Sequence, residues 1–146
     1  MNRMIFQLLS INKTDAKQIT ALSIQLGYEN DADEVYNRTS EIVKSNTDCV
    51  FVVKIEGQIV GWIHAFMTLR IESGIFLEIA GLVVDHEYYK MGIGKDLINA
   101  VKDWADARDI KKIKVRCNVI RAESHHFYKK IGFTQNKQQL VFEMNT

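Results

Sequence analysis

The chain has no proline. Its turns must therefore be made by glycine and short polar side chains, and no helix in it loses a backbone donor to a pyrrolidine ring. Cysteine is nearly absent too. Cys49 and Cys117 lie far apart, each in a β-like run and neither at a metal-ligand spacing. They read as buried free thiols of a reducing compartment rather than a disulfide. Long apolar runs are also missing. None approaches the ~20 residues of a membrane-spanning helix, so no membrane partner is expected. Charge of one sign is not in excess: the net charge is +1, and no block of like charges occurs. That disfavours a general nucleic-acid binder and leaves room for a small anionic ligand, which needs only local positive charge. Asn2 and Arg3 lead into a mixed segment without a signal pattern, which points to the cytoplasm. The four histidines do not make a metal site by spacing. His125 and His126 are neighbours on a helix and point to different sides, and His64 and His86 fall on other elements.

What is present suits a single domain over 1–146 with one core. Residues 3–11 read as a first strand. Asn12 or Thr14 caps a helix with Ile19, Leu22 and Leu26 on one face, stopped at Gly27. Asp31 or Asp33 caps a second helix to about Lys44. Its thin stripe of Val35, Ile42 and Val43 suits a helix lying over a cleft. Cys49–Ile55 and Gln58–Thr68 form a hairpin about Glu56-Gly57. Ser73-Gly74 then leads into a strand over Ile75–Val84, which completes an antiparallel meander. Leu97, Ile98, Val101, Trp104 and Ala105 give the stripe of a helix from about Ile93 to Arg108 packed on a sheet. A short strand at Lys112–Cys117 follows. Strand, helix, strand at this length implies a parallel pair with a right-handed crossover. A helix over Ala122–Ile131 ends at Gly132, and Leu140–Met144 reads as a final strand.

Between the strand ending at Val84 and the helix lies a loop with Gly92 and Gly94. Glycines let backbone approach an anion, and a helix start offers unpaired N–H groups to it. The spacing alone also fits a loop that merely turns a strand into a helix. A dinucleotide fingerprint would need glycine where Leu97 stands, and no Gly-Lys-Ser/Thr follows for a P-loop.

The segment LVVDHEYYKMGIGKDLI resembles the acetyl-CoA motif of the GNAT (Gcn5-related N-acetyltransferase) superfamily, Gln/Arg-x-x-Gly-x-Gly/Ala after an apolar strand. Downstream, NVIRAESHHFYKKIGF resembles the family's second motif through Asn118, Phe127-Tyr128 and Gly132-Phe133. The resemblance runs from Phe76 to Phe133 and departs at Tyr89, where the family has Gln or Arg. It implies an α+β fold: a mixed sheet in which an antiparallel meander meets one central parallel strand pair, splayed to admit acetyl-CoA, with helices on both faces.

The same resemblance implies a distribution of roles. The pyrophosphate of acetyl-CoA, the co-substrate, would meet the loop of Tyr89, Lys90, Met91, Gly92, Ile93, Gly94 and Lys95. The pantetheine arm would pair with backbone at Leu82, Val83 and Val84, beside a β-bulge placed at Gly81, with Asn118 and Phe127 near it. Asn118 could instead cap the next helix. A backbone N–H near Leu82 would face the thioester carbonyl. Tyr128 is the candidate acid for the leaving thiolate. Glu78, the lone charge in Phe76–Val84, is the candidate base; relay, substrate anchor and a buried partner of a neighbour such as His64 are the other readings. Trp62, Phe66, Tyr28 and Tyr36 are candidates to line an acceptor site. The activity implied is transfer of an acetyl group to a primary amine, a small molecule, in a ternary complex. The alternative is a GNAT-like module that senses acyl-CoA without turnover. Members of the family often form homodimers, and the terminal strand is the candidate seam here.

Overall fold

A computed structural model of the chain describes residues 2–117, 119 and 121–146. They group into two compact units, Met1–Arg116 and Cys117–Thr146. The first contains β1 (Arg3–Gln7), α1 (Lys13–Gln25), α2 (Ala32–Lys44), β2 (Asp48–Ile55), β3 (Gln58–Arg70), β4 (Gly74–Val84), α3 (Ile93–Asp106) and β5 (Ile113–Val115). The second contains α4 (Ala122–Lys130).

Local chemistry accounts for the element ends. Asn12 Oδ1 accepts from the Asp15 N–H at 2.7 Å and starts α1. Asp31 Oδ2 does the same for Glu34 and starts α2. Glu56 and Gly57 both take positive φ, 51° and 78°, which is the two-residue turn whose twist matches a hairpin.

The five strands lie in the order β1-β2-β3-β4-β5. The first four pair antiparallel, and β5 pairs parallel to β4 after the α3 crossover. The sheet is thus mixed, as expected. Along β3, Ile63 and Ala65 are fully buried. Trp62, His64 and Phe66 alternate with them and face the other way. On the Trp62 side, Leu8, Ile19, Leu22, Val35, Val50, Val52, Ile59 and Val83 form a core under α1 and α2. On the opposite side, α3 buries the stripe read from the sequence, Leu97, Ile98, Val101, Trp104 and Ala105. Each large aliphatic side chain so buried contributes roughly 1.5–3 kcal/mol.

One expected strand does not form. Residues 134–146 have no regular structure, and Leu140, Val141, Phe142 and Met144 are exposed. A strand exists only where a neighbour takes its N–H and C=O groups, and this segment has no strand partner among the described residues. β1 and β5 are also shorter than their apolar runs suggested: beyond Gln7–Phe51 only the Leu8 N–H bonds across, to the Val50 carbonyl, and the β4–β5 pairing ends at Ile79–Val115.

Candidate active site

β4 changes partners along its length. From Leu77 to Ile79 it has β3 on one side and β5 on the other. At the next step the β3 register slips: Ala65 faces Ile79 but His64 faces Gly81. Ala80 is therefore the extra residue of a β-bulge, directly before the Gly81 expected there. Beyond it, residues 81–84 keep β3 and have no strand partner on the β5 side among the described residues. Leu82 and Val84 are half-buried there, and Val83 is buried beneath the α1–α2 core. Gly81 is required for a further reason. A Cβ at 81 would stand 2.9 Å and 3.0 Å from the ring edge of Trp62.

The open edge leads into the glycine loop. Asp85 donates its N–H to the Val60 carbonyl, and a single 3-10 turn follows over His86–Tyr88. Gln25 of α1 holds this entry: its Oε1 accepts from the His86 N–H at 3.1 Å, and its amide nitrogen reaches Asp85 Oδ1 at 3.3 Å. Lys90 and Gly92 then take left-handed backbone, φ 64° and 80°. Such turns point successive N–H groups to one side. Gly92 caps α3 with no side-chain hydrogen bond, so the first-turn N–H groups of Ile93, Gly94 and Lys95 have no capping side chain. Lys90 and Lys95 are exposed beside them, as is Tyr89, at 51 %.

An acidic residue in that first turn, Asp96, would oppose an anion. Arg3 of β1 offsets it, with Nη1 on Asp96 Oδ2 at 2.7 Å. Its Nη2 also donates to the Met91 carbonyl at 2.6 Å. One guanidinium thus neutralises the opposing carboxylate and ties down the loop.

On the Trp62 face, residues of α1, α2, β2 and β3 line a cavity of about 170 Å³ that is partly open to solvent. Ile19, Val35, Ile42, Val50 and Trp62 supply its apolar walls; Ser23, Asn30, Arg38, Thr39 and His64 supply polar groups. The thin apolar stripe of α2 does lie over a cleft. Of the four aromatics expected to line an acceptor site, Trp62 is among the lining residues; Phe66, Tyr28 and Tyr36 are not. His64 Nε2 pairs with Asp48 Oδ2 at 2.8 Å.

Glu78 sits across from Phe66 and so shares the face of His64 and Trp62. Its partner is Arg116, with Nη2 3.7 Å from Oε1, rather than His64. The Glu78 side chain is 16 % exposed, which leaves it reachable.

In the second unit, Tyr128 is packed edge-on between Phe127 and Phe133, with ring centroids 5.2 Å and 5.4 Å away. Burial pushes its phenol well above the ordinary value, reinforced by Cys117 and opposed by Arg121. A phenol so placed keeps its proton at neutral pH. Gly132 takes φ 110° and ends α4, where the Phe133 N–H donates to the Tyr128 carbonyl. Asn118, assigned to the pantetheine arm, lies outside the described residues. Cys49 is buried, and burial raises its thiol to about 12. Cys117 is only half-buried, unlike the buried thiol expected, because it lies two residues beyond the end of β5.

Sequence reasoning missed three pairings: Arg3–Asp96, Asp48–His64 and Glu78–Arg116. Arg3 and Asp96 are 93 residues apart, and no periodic pattern marks such a pair. Asp48 and His64 had a usable signal, since hairpin register about Glu56-Gly57 brings 48 near 64 and 66. No cluster of three potential metal ligands occurs among the described residues, and no described helix is long and apolar enough to cross a membrane.

Comparison with known proteins agrees with this architecture. An uncharacterized N-acetyltransferase of Methanocaldococcus jannaschii is 28 % identical over 98 residues, covering 66 % of this chain and 43 % of that protein. The chain thus spans less than half the length of that curated relative. The aminoglycoside 6'-N-acetyltransferase AAC(6')-Ih of Acinetobacter baumannii superposes with a TM-score of 0.84 at 17 % identity, over 99 % of both chains. AAC(6')-Iy, solved with a bisubstrate analogue joining CoA to acetylneamine, gives 0.83 at 18 % over 100 % of both. At these identities the structures establish the fold. The model of the acetyltransferase (GNAT) family matches residues 13–133, and with four-fifths of its length inside that match the chain belongs to the acetyltransferase (GNAT) family.

Proposed function

We propose that the protein is an N-acetyltransferase that moves the acetyl group of acetyl-CoA to a small primary amine by direct attack in a ternary complex. The observation that carries this reading is the continuous path from the Ala80 bulge along the open edge of 81–84 to the uncapped start of α3. An edge with free N–H and C=O groups suits the pantetheine amides, as an added strand would be held. The α3 start and the 89–95 loop suit the pyrophosphate, and Lys90 and Lys95 add charge.

In this reading a backbone N–H near Leu82 stabilises the oxyanion, and Asn118 and Phe127 flank the arm. Glu78 takes or relays the proton that the attacking ammonium must lose; anchoring that ammonium is its other role. Tyr128 donates to the departing thiolate. A homodimer would use the exposed apolar run Leu140–Met144 as its seam.

A second reading, acyl-CoA sensing without turnover, draws on Tyr89 in place of the family's Gln or Arg. One experiment separates the two. Acetyl-CoA is expected to raise the melting temperature, and a panel of primary amines to elicit CoA thiol release. Stabilisation without release for any amine favours the sensor; neither effect refutes both.

A further inference from the structure

The cavity under α1 and α2 holds information about the acceptor, given the acetyltransferase reading above. Its register ties it to the reaction centre. His64, which lines the cavity, is the cross-strand partner of Gly81 at the β4 bulge. That bulge is where the β4 edge opens. A ligand in the cavity therefore ends, at its His64 end, against the place where the thioester would lie.

The chemistry of the walls is selective. At about 170 Å³ the partly open cleft has room for a body of about benzene size, a ring for which roughly 150 Å³ suffices. Five lining residues are apolar, and the one lining residue with a fixed charge is the cation Arg38; the described lining includes no carboxylate. A polycation would need several carboxylates to replace its hydration, because an unpaired charge moved out of water is costly. Arg38 is already held by Asn30 Oδ1 at 3.0 Å and approaches Glu34 at 3.8 Å.

We propose that this cavity binds a small monoamine with an apolar body, and that the Asp48–His64 pair is the catalytic base facing its amino group. Asp48 fixes the imidazole through Nε2, as a carboxylate orients the base in other proton-transfer pairs. The charged groups that act on His64 are Asp48 from β2, Arg38 from α2 across the cavity, and Glu78 on the same face of β4. Glu78, on the same face, anchors the ammonium, the second of the roles given to it above, and His64 takes one proton from it. The freed amine forms the C–N bond to the thioester carbonyl carbon, and the C–S bond breaks. The second amine proton leaves nitrogen and replaces the one that Tyr128 gives to the departing sulfur, so CoA leaves as the neutral thiol, and His64 returns its proton to water. The products are the acetamide and the CoA thiol.

The test uses the full chain with acetyl-CoA and two acceptors, benzylamine and the aminoglycoside neamine, with thiol release as the readout. Benzylamine is expected to be acetylated at least ten-fold more efficiently than neamine. The reverse order overturns the assignment of the cavity while leaving acetyl transfer intact; failure of acetyl-CoA to stabilise the protein refutes acetyl transfer itself. His64→Gln is expected to lower kcat/KM for benzylamine about 100-fold at neutral pH. That deficit is expected to shrink as pH rises and the amine loses its proton unaided. A deficit constant with pH overturns the base role. Asp48→Asn is expected to give a smaller loss with the same pH trend, so the conclusion does not depend on the folding of one variant.

Discussion

Gly61→Ala probes how the phosphate end of the site is supported. Gly61 lies on β3 opposite Val84 and beneath the first turns of α3. A Cβ built there would lie 2.9 Å from Ile93 Cγ2, 3.3 Å from Leu97 Cδ1 and 3.3 Å from the Val83 carbonyl oxygen. Ile93 and Leu97 are 1 % and 0 % exposed, so neither can swing into solvent. The carbonyl belongs to the β3–β4 ladder and cannot retreat without opening it. The helix must move instead. Overpacking of this kind costs about 1–3 kcal/mol. For a chain of this size the melting temperature then falls by roughly 3 °C for each kcal/mol. Because Ile93 is the first residue of α3, a displaced helix carries the Gly92 loop with it, so KM for acetyl-CoA is expected to rise more than kcat falls. A double-mutant cycle tests the cause. Ile93→Ala removes the atom closest to the new methyl and by itself costs about 2–5 kcal/mol. The double variant is expected to be less destabilised than the sum of the two by about 1 kcal/mol or more. Additive losses, or a Gly61→Ala protein with unchanged melting temperature and KM, would refute the close-packed support.

Three further outcomes are expected. Arg3→Ala removes the cation that offsets Asp96 and its bond to Met91. KM for acetyl-CoA should rise several-fold, stability should fall by no more than about 1 kcal/mol because the pair is partly solvated, and Asp96→Ala in the same background should recover affinity; a loss of stability with KM unchanged would count against the electrostatic role. Tyr128→Phe should lower kcat about 10–100-fold while acetyl-CoA affinity, measured by calorimetry, stays within about two-fold, and an equal loss of both would remove the acid role. Cys49 keeps its proton to about pH 12 because it is buried, whereas the unfolded thiol ionises from about pH 9. The unfolded chain alone loses that proton in this window, so stability should fall with rising pH, by roughly 1.4 kcal/mol per unit from this group. Urea unfolding of Cys49→Ala should lack that part of the slope, and identical slopes in the two proteins would contradict the burial.

The contrast between what was and was not legible follows from the range of the forces involved. Helix and strand positions were readable because their causes are local. The α3 stripe repeats at helical spacing, Asn12 and Asp31 cap their own first turns, and Glu56-Gly57 adopts the one turn that such a pair makes easily. The family motifs were readable for the same reason: Gly92 and Gly94 act through backbone shape. The terminal strand failed because its apolar residues state a propensity, whereas a strand also needs an edge to pair with, and Leu140–Met144 has none among the described residues. Glu78 shows the intermediate case. Its isolation in an apolar run marked it as a buried charge but not its partner. Arg116 stands one residue beyond the short parallel strand and could be paired with Glu78 only once the β4–β5 register was known. The same holds for Arg3, which reaches the loop between β4 and α3 from the first strand of the chain. The glycines fold the phosphate loop, yet residues invisible to any motif hold it in place: Gln25 at its entry and Arg3 at its exit.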